Sequence, residues 1–307
     1  MDPIFYGNIW RMDWGLGNPN KTAALIALLM IVIWVVAFIW KRGFWCVLPI
    51  FTILGGCLIH TVSRGGLVAA ATGLAIVAWF SPRPWPRQRL IAIVVAVWLM
   101  IGFAVFLGAH DRYGKGIVQE DRSITSRFDL WKSAPAMMVA APGGWGFGNA
   151  ARAYSSWYQS LERNQEYSSL VNSHLTWMVE LSWLGRFGYV AAWCSVILLS
   201  WPPRRPHWLS VMLGVWVAFG VASIFSSVAE SPWLWIVPGI CLVATLISRI
   251  VSRNWPARWG WSIPPITATV VCTGLWIAGA GDGGVRHSDN MTIFGKGAPS
   301  ICARASQ

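Results

Sequence analysis

The sequence predicts an all-α, polytopic integral membrane protein with about eight transmembrane helices and one large external helical loop. Three observations lead there. Only 12% of the 307 residues are charged, against roughly 25% in a soluble domain, while 55% are hydrophobic and the mean hydropathy is +0.51. The apolar residues fall in runs close to the roughly 20 residues needed to cross a bilayer. The 23 tryptophans exceed what an ordinary soluble core holds and suit a chain with many bilayer–water boundaries, where indole rings gather. Disorder, a coiled coil and a water-facing enzyme domain are excluded. The expectation is a single membrane domain over 1–307.

Residues 1–20 are polar, rich in Gly, Asn and Trp, and carry no pattern of a cleavable signal peptide. Apolar runs then cover 22–40, 44–62, 65–80, 90–108, 176–200, 208–228, 233–248 and 261–280, the third and seventh being short. Four of the connections are short and basic: Lys41 and Arg42; Arg83, Arg87 and Arg89; Arg204 and Arg205; Arg249, Arg253 and Arg258. They hold ten Lys/Arg and no acid, and they alternate in the order of spans. The positive-inside rule makes them cytoplasmic and turns both termini outward. The Pro-rich pieces 81–86 and 201–206 read as compact cytoplasmic turns. The same clustering accounts for the net charge of +12 as topology, with no nucleic-acid partner. Six cysteines (Cys46, Cys57, Cys194, Cys241, Cys272 and Cys302) form no CxxC pair and support neither a zinc site nor a disulfide framework.

The outer side then carries the segment 109–173 and a polar tail, 281–307. All twelve acidic residues lie on that side or near its boundary. So long a loop is more than a connection. Trp131, Trp145, Phe147, Trp157 and Tyr158 give it apolar surface to bury, so an ordered helical cap is expected, with a helix over 127–140. The Gly-rich run 142–148 lacks the βαβ setting of a dinucleotide fingerprint and reads as a tight loop between cap helices, its glycines supplying positive φ.

Three residues on this outer side are candidates for chemistry. His174 follows Asn172 and Ser173, either of which suits a helix N-cap. The imidazole would then sit in the first helical turn, where the positive end of the macrodipole favours the neutral ring that a general base requires. It reads equally as a histidine that caps its own helix. Arg64, at the outer start of the third span in Thr61, Val62, Ser63, Arg64, Gly65, Gly66, breaks the pattern of an acidic outer face. It is either an interfacial anchor or a cation with room beside it for a ligand. Arg127 offers a planar fork suited to phosphate oxygens, or a salt bridge to Asp121 or Asp129. Glu180 lies six residues beyond His174, about 240° around a continuous helix, and spacing assigns it no role. No metal-ligand cluster stands out, and no cofactor is expected.

At these residues the sequence resembles the bacterial O-antigen ligase and polymerase family, multi-span glycosyltransferases that use polyprenyl-diphosphate-linked glycans. Four pieces match in order over roughly 10–230: Asn18, Pro19 and Asn20 before a span; Thr61 to Arg64 before another; Arg127 in a large external loop leading into 142–148; and Asn172, Ser173 and His174 with Glu180 entering the next span. Where the family often has His-Asn, Leu175 follows His174. The family also has several more spans before the first seen here, so the chain is expected to lack N-terminal spans. The resemblance implies a metal-independent, inverting transfer at the outer, periplasmic face of the bacterial inner membrane. Arg64 and Arg127 would hold the donor's diphosphate, and His174 would activate the acceptor hydroxyl. The partners implied are a polyprenyl-diphosphate-linked glycan donor, a glycan or lipid acceptor such as lipid A core, and the bilayer. A polymerase joining repeat units is the alternative within the family. A transporter-type protein without chemistry is the alternative outside it, and that would call for ionisable residues at mid-span and inverted repeats.

Overall fold

The computed structural model describes residues 4–6, 9–13, 16–39, 43–80, 122–159, 167–200 and 207–251. These residues are helical apart from turns and one small antiparallel hairpin, β1 (Ile4–Tyr6) and β2 (Ile9–Arg11), in which Phe5 faces Trp10. The chain divides into two compact units, one of 1–122 and 196–257, the other of 123–195 and 258–307.

In the first unit, α1 (Pro19–Ile39) starts where the sequence provides a cap: Asn18 Oδ1 accepts from the Asn20 N–H at 2.9 Å, with Pro19 at the first helical position. The Thr22 hydroxyl donates to the Asp13 carbonyl at 2.7 Å and ties the incoming chain to this helix. Helix α2 (Gly43–His60) ends in a tight turn, where the Thr61 hydroxyl donates to the Leu58 carbonyl at 2.6 Å. Val62 takes φ +51° and Ser63 accepts from the Gly66 N–H at 3.2 Å, which starts α3 (Arg64–Phe80). Helix α3 lies against α1 and against a later helix of the unit, His207–Phe225, with backbones nearly touching. A Cβ at Gly66 would strike Ala23, and one at Gly73 would strike Ile31 and Ala218. Small residues at helix contacts are how apolar helices approach where lipid offers no hydrophobic drive.

The second unit begins with α4 (Arg122–Ala140), which starts five residues before the predicted helix. Helices α5 (Ala150–Trp157), α6 (Ser173–Glu180) and α7 (Trp183–Ser200) follow, α7 belonging to this unit as far as Ser195. Its core joins Leu130, Ala134 and Met137 of α4 to Ala150, Ala153 and Tyr154 of α5 and to Leu170 and Val179. Of the five aromatics expected to anchor a cap, Trp131, Trp145 and Tyr158 pack on it, whereas Phe147 and Trp157 are exposed. The expected tight glycine loop is present, with Gly144, Gly146 and Gly148 all at positive φ.

The predicted span 176–200 is two helices, not one. Leu181 leaves the helix with ψ +148°, and Ser182 caps the next one, its Oγ accepting from the Gly185 N–H at 3.3 Å. His174 and Glu180 therefore lie on a separate short helix ahead of the span. The remaining helices are α8 (His207–Phe225) and α9 (Ile236–Val251), the latter preceded by a 3-10 turn over Pro232–Trp235, so the predicted 233–248 begins as that turn. Trp235 closes it, donating to the Ala229 carbonyl at 2.8 Å and packing on Phe219 at 4.7 Å.

Among the described residues, one helix, Trp183–Ser200, is long and apolar enough to cross a membrane. Its Trp183, Leu184, Phe187 and Val190 are exposed. Shorter apolar helices cover Pro19–Trp34, Pro49–His60, Arg64–Phe80, Leu209–Phe225 and Pro232–Ile247. The predicted spans 90–108 and 261–280, the turns 81–86 and 201–206, loop residues 109–121 and 160–166, and the tail 281–307 lie outside the described residues.

Candidate functional site

His174 stands in the first turn of α6, as expected from Asn172. That residue is the N-cap, extended at φ −150° and accepting from the Leu175 N–H at 3.1 Å. The approach is strained: Val171, a β-branched residue, sits at φ +55°, a conformation that costs such a side chain energy. Thr176 holds the turn from below, donating to the Asn172 carbonyl at 2.9 Å while accepting from the Leu170 N–H at 3.3 Å. The half-buried imidazole reaches α7, where its Nδ1 lies 2.6 Å from the Tyr189 phenol oxygen. Trp193 meets the imidazole edge-on at 5.2 Å.

The far end of α6 is held as firmly. The last four carbonyls of a helix have no partner inside it, and here each finds one. Trp177 accepts from the Leu181 N–H, Met178 from Arg186 Nε at 2.6 Å, Val179 from the Trp145 N–H at 3.2 Å, and Glu180 from the Gly146 N–H at 3.1 Å. The glycine loop can lie this close because a Cβ at Gly144 would strike the Glu180 carbonyl. Arg186 also donates to the Met138 and Ala141 carbonyls, both at 3.1 Å. One guanidinium thus joins the negative ends of α4 and α6.

The Glu180 carboxyl, 7% exposed, points the other way, to the positive end of α5, and accepts from the Ala150 N–H at 3.2 Å. Burial pushes it up to about 7, and the backbone N–H groups of Gly148 and Ala150 only partly offset that rise.

Arg127 lies on α4, half-buried. Its spacing from Leu130, Ala134 and Met137 puts it at the N-terminal end of the helix stripe that faces the core. Arg64 belongs to the first unit, exposed at the first position of α3, directly after the Val62–Ser63 turn. The fold thus places Arg127 and His174 in one unit and Arg64 in the other. Among the described residues, Val62 and Val171 are the non-glycine residues at positive φ, and each immediately precedes the cap of a helix whose first turn carries a candidate residue.

Residues 49–190 match the family model described as O-antigen ligase. That match supports the O-antigen ligase family for this segment of the chain. No curated protein and no solved structure matches the chain. The matched segment contains Arg64, Arg127 and His174 together with Glu180, Arg186 and Tyr189. A match to this family implies glycan transfer of the O-antigen ligase or polymerase type, lipid-linked glycan substrates, a place in lipopolysaccharide biosynthesis, and a membrane setting.

Three residues of this candidate site receive no role from the sequence. Arg186 is a charge one turn into an apolar helix, an anomaly visible in the sequence. Two of its three carbonyl partners lie 45 and 48 residues earlier, which no spacing rule reaches. Spacing along its own helix gives Glu180 no role, because its partner lies 30 residues earlier. Tyr189 faces His174 across the break at Leu181, and a continuous helix through 176–200 conceals that pairing.

Proposed function

We propose that this protein, similar over 49–190 to the O-antigen ligase family, moves a glycan from a polyprenyl-diphosphate carrier to an acceptor hydroxyl, of lipid A core or similar, at the periplasmic face of the inner membrane. The chain works as one multi-pass membrane domain, with α7 and the other apolar helices as spans and the α4–α6 region as part of the external cap. His174 takes the proton of the acceptor hydroxyl as that oxygen bonds to the anomeric carbon. The bond from that carbon to the diphosphate oxygen breaks on the opposite face, and its electron pair leaves with the polyprenyl diphosphate. The sugar is therefore inverted. Arg64 and Arg127 hold the departing diphosphate. Because a diphosphate is already a good leaving group, charge stabilisation by arginine suffices without a metal or a general acid.

The observation that carries this reading is the match over 49–190, which contains all three residues. The strained valines ahead of Arg64 and His174 add to it, since backbone strain gathers at functional sites. The test is His174→Ala, purified and reconstituted with a polyprenyl-diphosphate-linked glycan and an acceptor. Transfer is abolished while expression and membrane insertion stay normal. Wild-type turnover in this variant reduces His174 to a residue of the helix start and refutes the reading.

A further inference from the structure

We propose that Tyr189 is a positioning residue for this transfer: its phenol oxygen accepts a hydrogen bond from His174 Nδ1–H and so keeps the lone pair on Nε2, the nitrogen that takes the proton of the acceptor hydroxyl. The inference rests on the reading of His174 as the base. The two side chains come from different helices, α6 and α7, and meet at 2.6 Å. Trp177 packs on the phenol at 5.3 Å and Trp193 on the imidazole at 5.2 Å, so both rings are held between aromatic walls.

A neutral imidazole carries its proton on one nitrogen or the other, and the partner of the first nitrogen decides what the second can do. If the phenol donates to Nδ1, the proton sits on Nε2, which cannot then accept another. If Nδ1–H donates to the phenol, Nε2 holds the lone pair. Proton transfer from an acceptor needs the second arrangement. Trp193 also hydrogen-bonds the Tyr189 side chain, and an indole N–H only donates, so in that arrangement the phenol oxygen receives both bonds. When Nε2 takes the proton, the Nδ1–H bond becomes charge-assisted and strengthens, which favours the transition state over the ground state.

In other histidine bases a carboxylate fills this place. Glu180 does not fill it here, because its carboxyl lies against the start of α5. Arg186, the nearby cation on α7, is directed at the carbonyls of Met138, Ala141 and Met178.

The experiment uses the full chain in lipid nanodiscs with ¹⁵N-labelled histidine, His174→Gln serving to assign the His174 signals. The wild type shows the Nδ1–H tautomer at His174. Tyr189→Phe, which keeps the ring and its aromatic contacts, loses that preference. Its kcat for transfer falls about ten- to a hundredfold, the worth of a hydrogen bond to a charged group, with KM for the donor unchanged. An Nε2–H tautomer in the wild type overturns the proposal without any variant, and so does wild-type kcat in Tyr189→Phe. In both cases the base reading survives if His174→Ala is inactive. Full activity in His174→Ala removes the base reading itself.

Discussion

Glu180→Gln isolates a single buried charge. The carboxyl is pushed from 4.5 to about 7 chiefly by burial. Between those two values the folded protein holds a proton that the unfolded chain releases. Stability from this group is therefore complete below about pH 4.5 and is lost as pH rises through about 7. Keeping the carboxylate ionised in the fold costs about 3 kcal/mol at the top of that window. The amide of Gln still offers an oxygen to the Ala150 N–H and cannot ionise. Glu180→Gln should match the wild type near pH 4 and exceed it by up to about 3 kcal/mol near pH 8, several degrees in Tm. Tryptophan fluorescence during thermal unfolding in detergent, read from about pH 4 to 8, measures the difference between the two proteins, so titrations common to both cancel. Parallel profiles across that range would refute the reasoning, because a buried carboxyl that ionises without cost is not desolvated as the fold requires.

Reporters fused after Arg42, Arg89, Arg205 and Arg258 should read cytoplasmic and one inside 109–173 external; a cytoplasmic signal from that loop puts the candidate site on the wrong side for a periplasmic donor. Arg186→Ala orphans three carbonyls, at roughly 1–3 kcal/mol each, and should destabilise the second unit strongly. Arg186→Lys should recover only part of that loss, because an ammonium lacks the fork; wild-type denaturation midpoints in both variants contradict the clamp. If Arg64 and Arg127 share one diphosphate, each change to Ala should slow donor turnover about ten- to a hundredfold. The double variant should lose less than the product, and EDTA should change nothing. Wild-type rates in both single variants, or complete loss in EDTA, sink that assignment.

What could be read from the sequence was whatever depends on composition and on neighbours a few residues apart. The apolar runs located α1, α2, α3 and α8 within a few residues. The Asn172 cap placed His174 in a first turn, and the glycines of 142–148 marked a loop needing positive φ. What escaped depends on contacts across many residues. The apolar run over 176–200 carries two charges, Glu180 and Arg186, but neither of them reveals that Leu181 leaves the helix. The break becomes favourable only because Arg186, Trp145 and Gly146 satisfy the carbonyls it exposes. Those partners are set by tertiary packing. Periodicity assigned Glu180 and Arg186 no role for the same reason: each meets backbone from another helix, and backbone groups leave no trace in the residue pattern.

That packing also bears on how His174 is held. Helix α6 has eight residues, too few to persist alone, since isolated helices below roughly a dozen residues are marginal in water. Its order comes from its two ends. At one, Asn172 and Thr176 fix the first turn; at the other, Trp145, Gly146 and Arg186 take up the final carbonyls. The imidazole sits between these fastenings, and its bond to Tyr189 crosses to α7, the same helix that supplies Arg186. Position and orientation of the ring are thus set by separate contacts. Loosening the glycine loop or Arg186 moves the whole of α6 relative to α7, whereas removing the Tyr189 hydroxyl leaves α6 in place and frees only the ring. The two kinds of change are therefore distinguishable: the first lowers stability and transfer together, and the second lowers transfer alone.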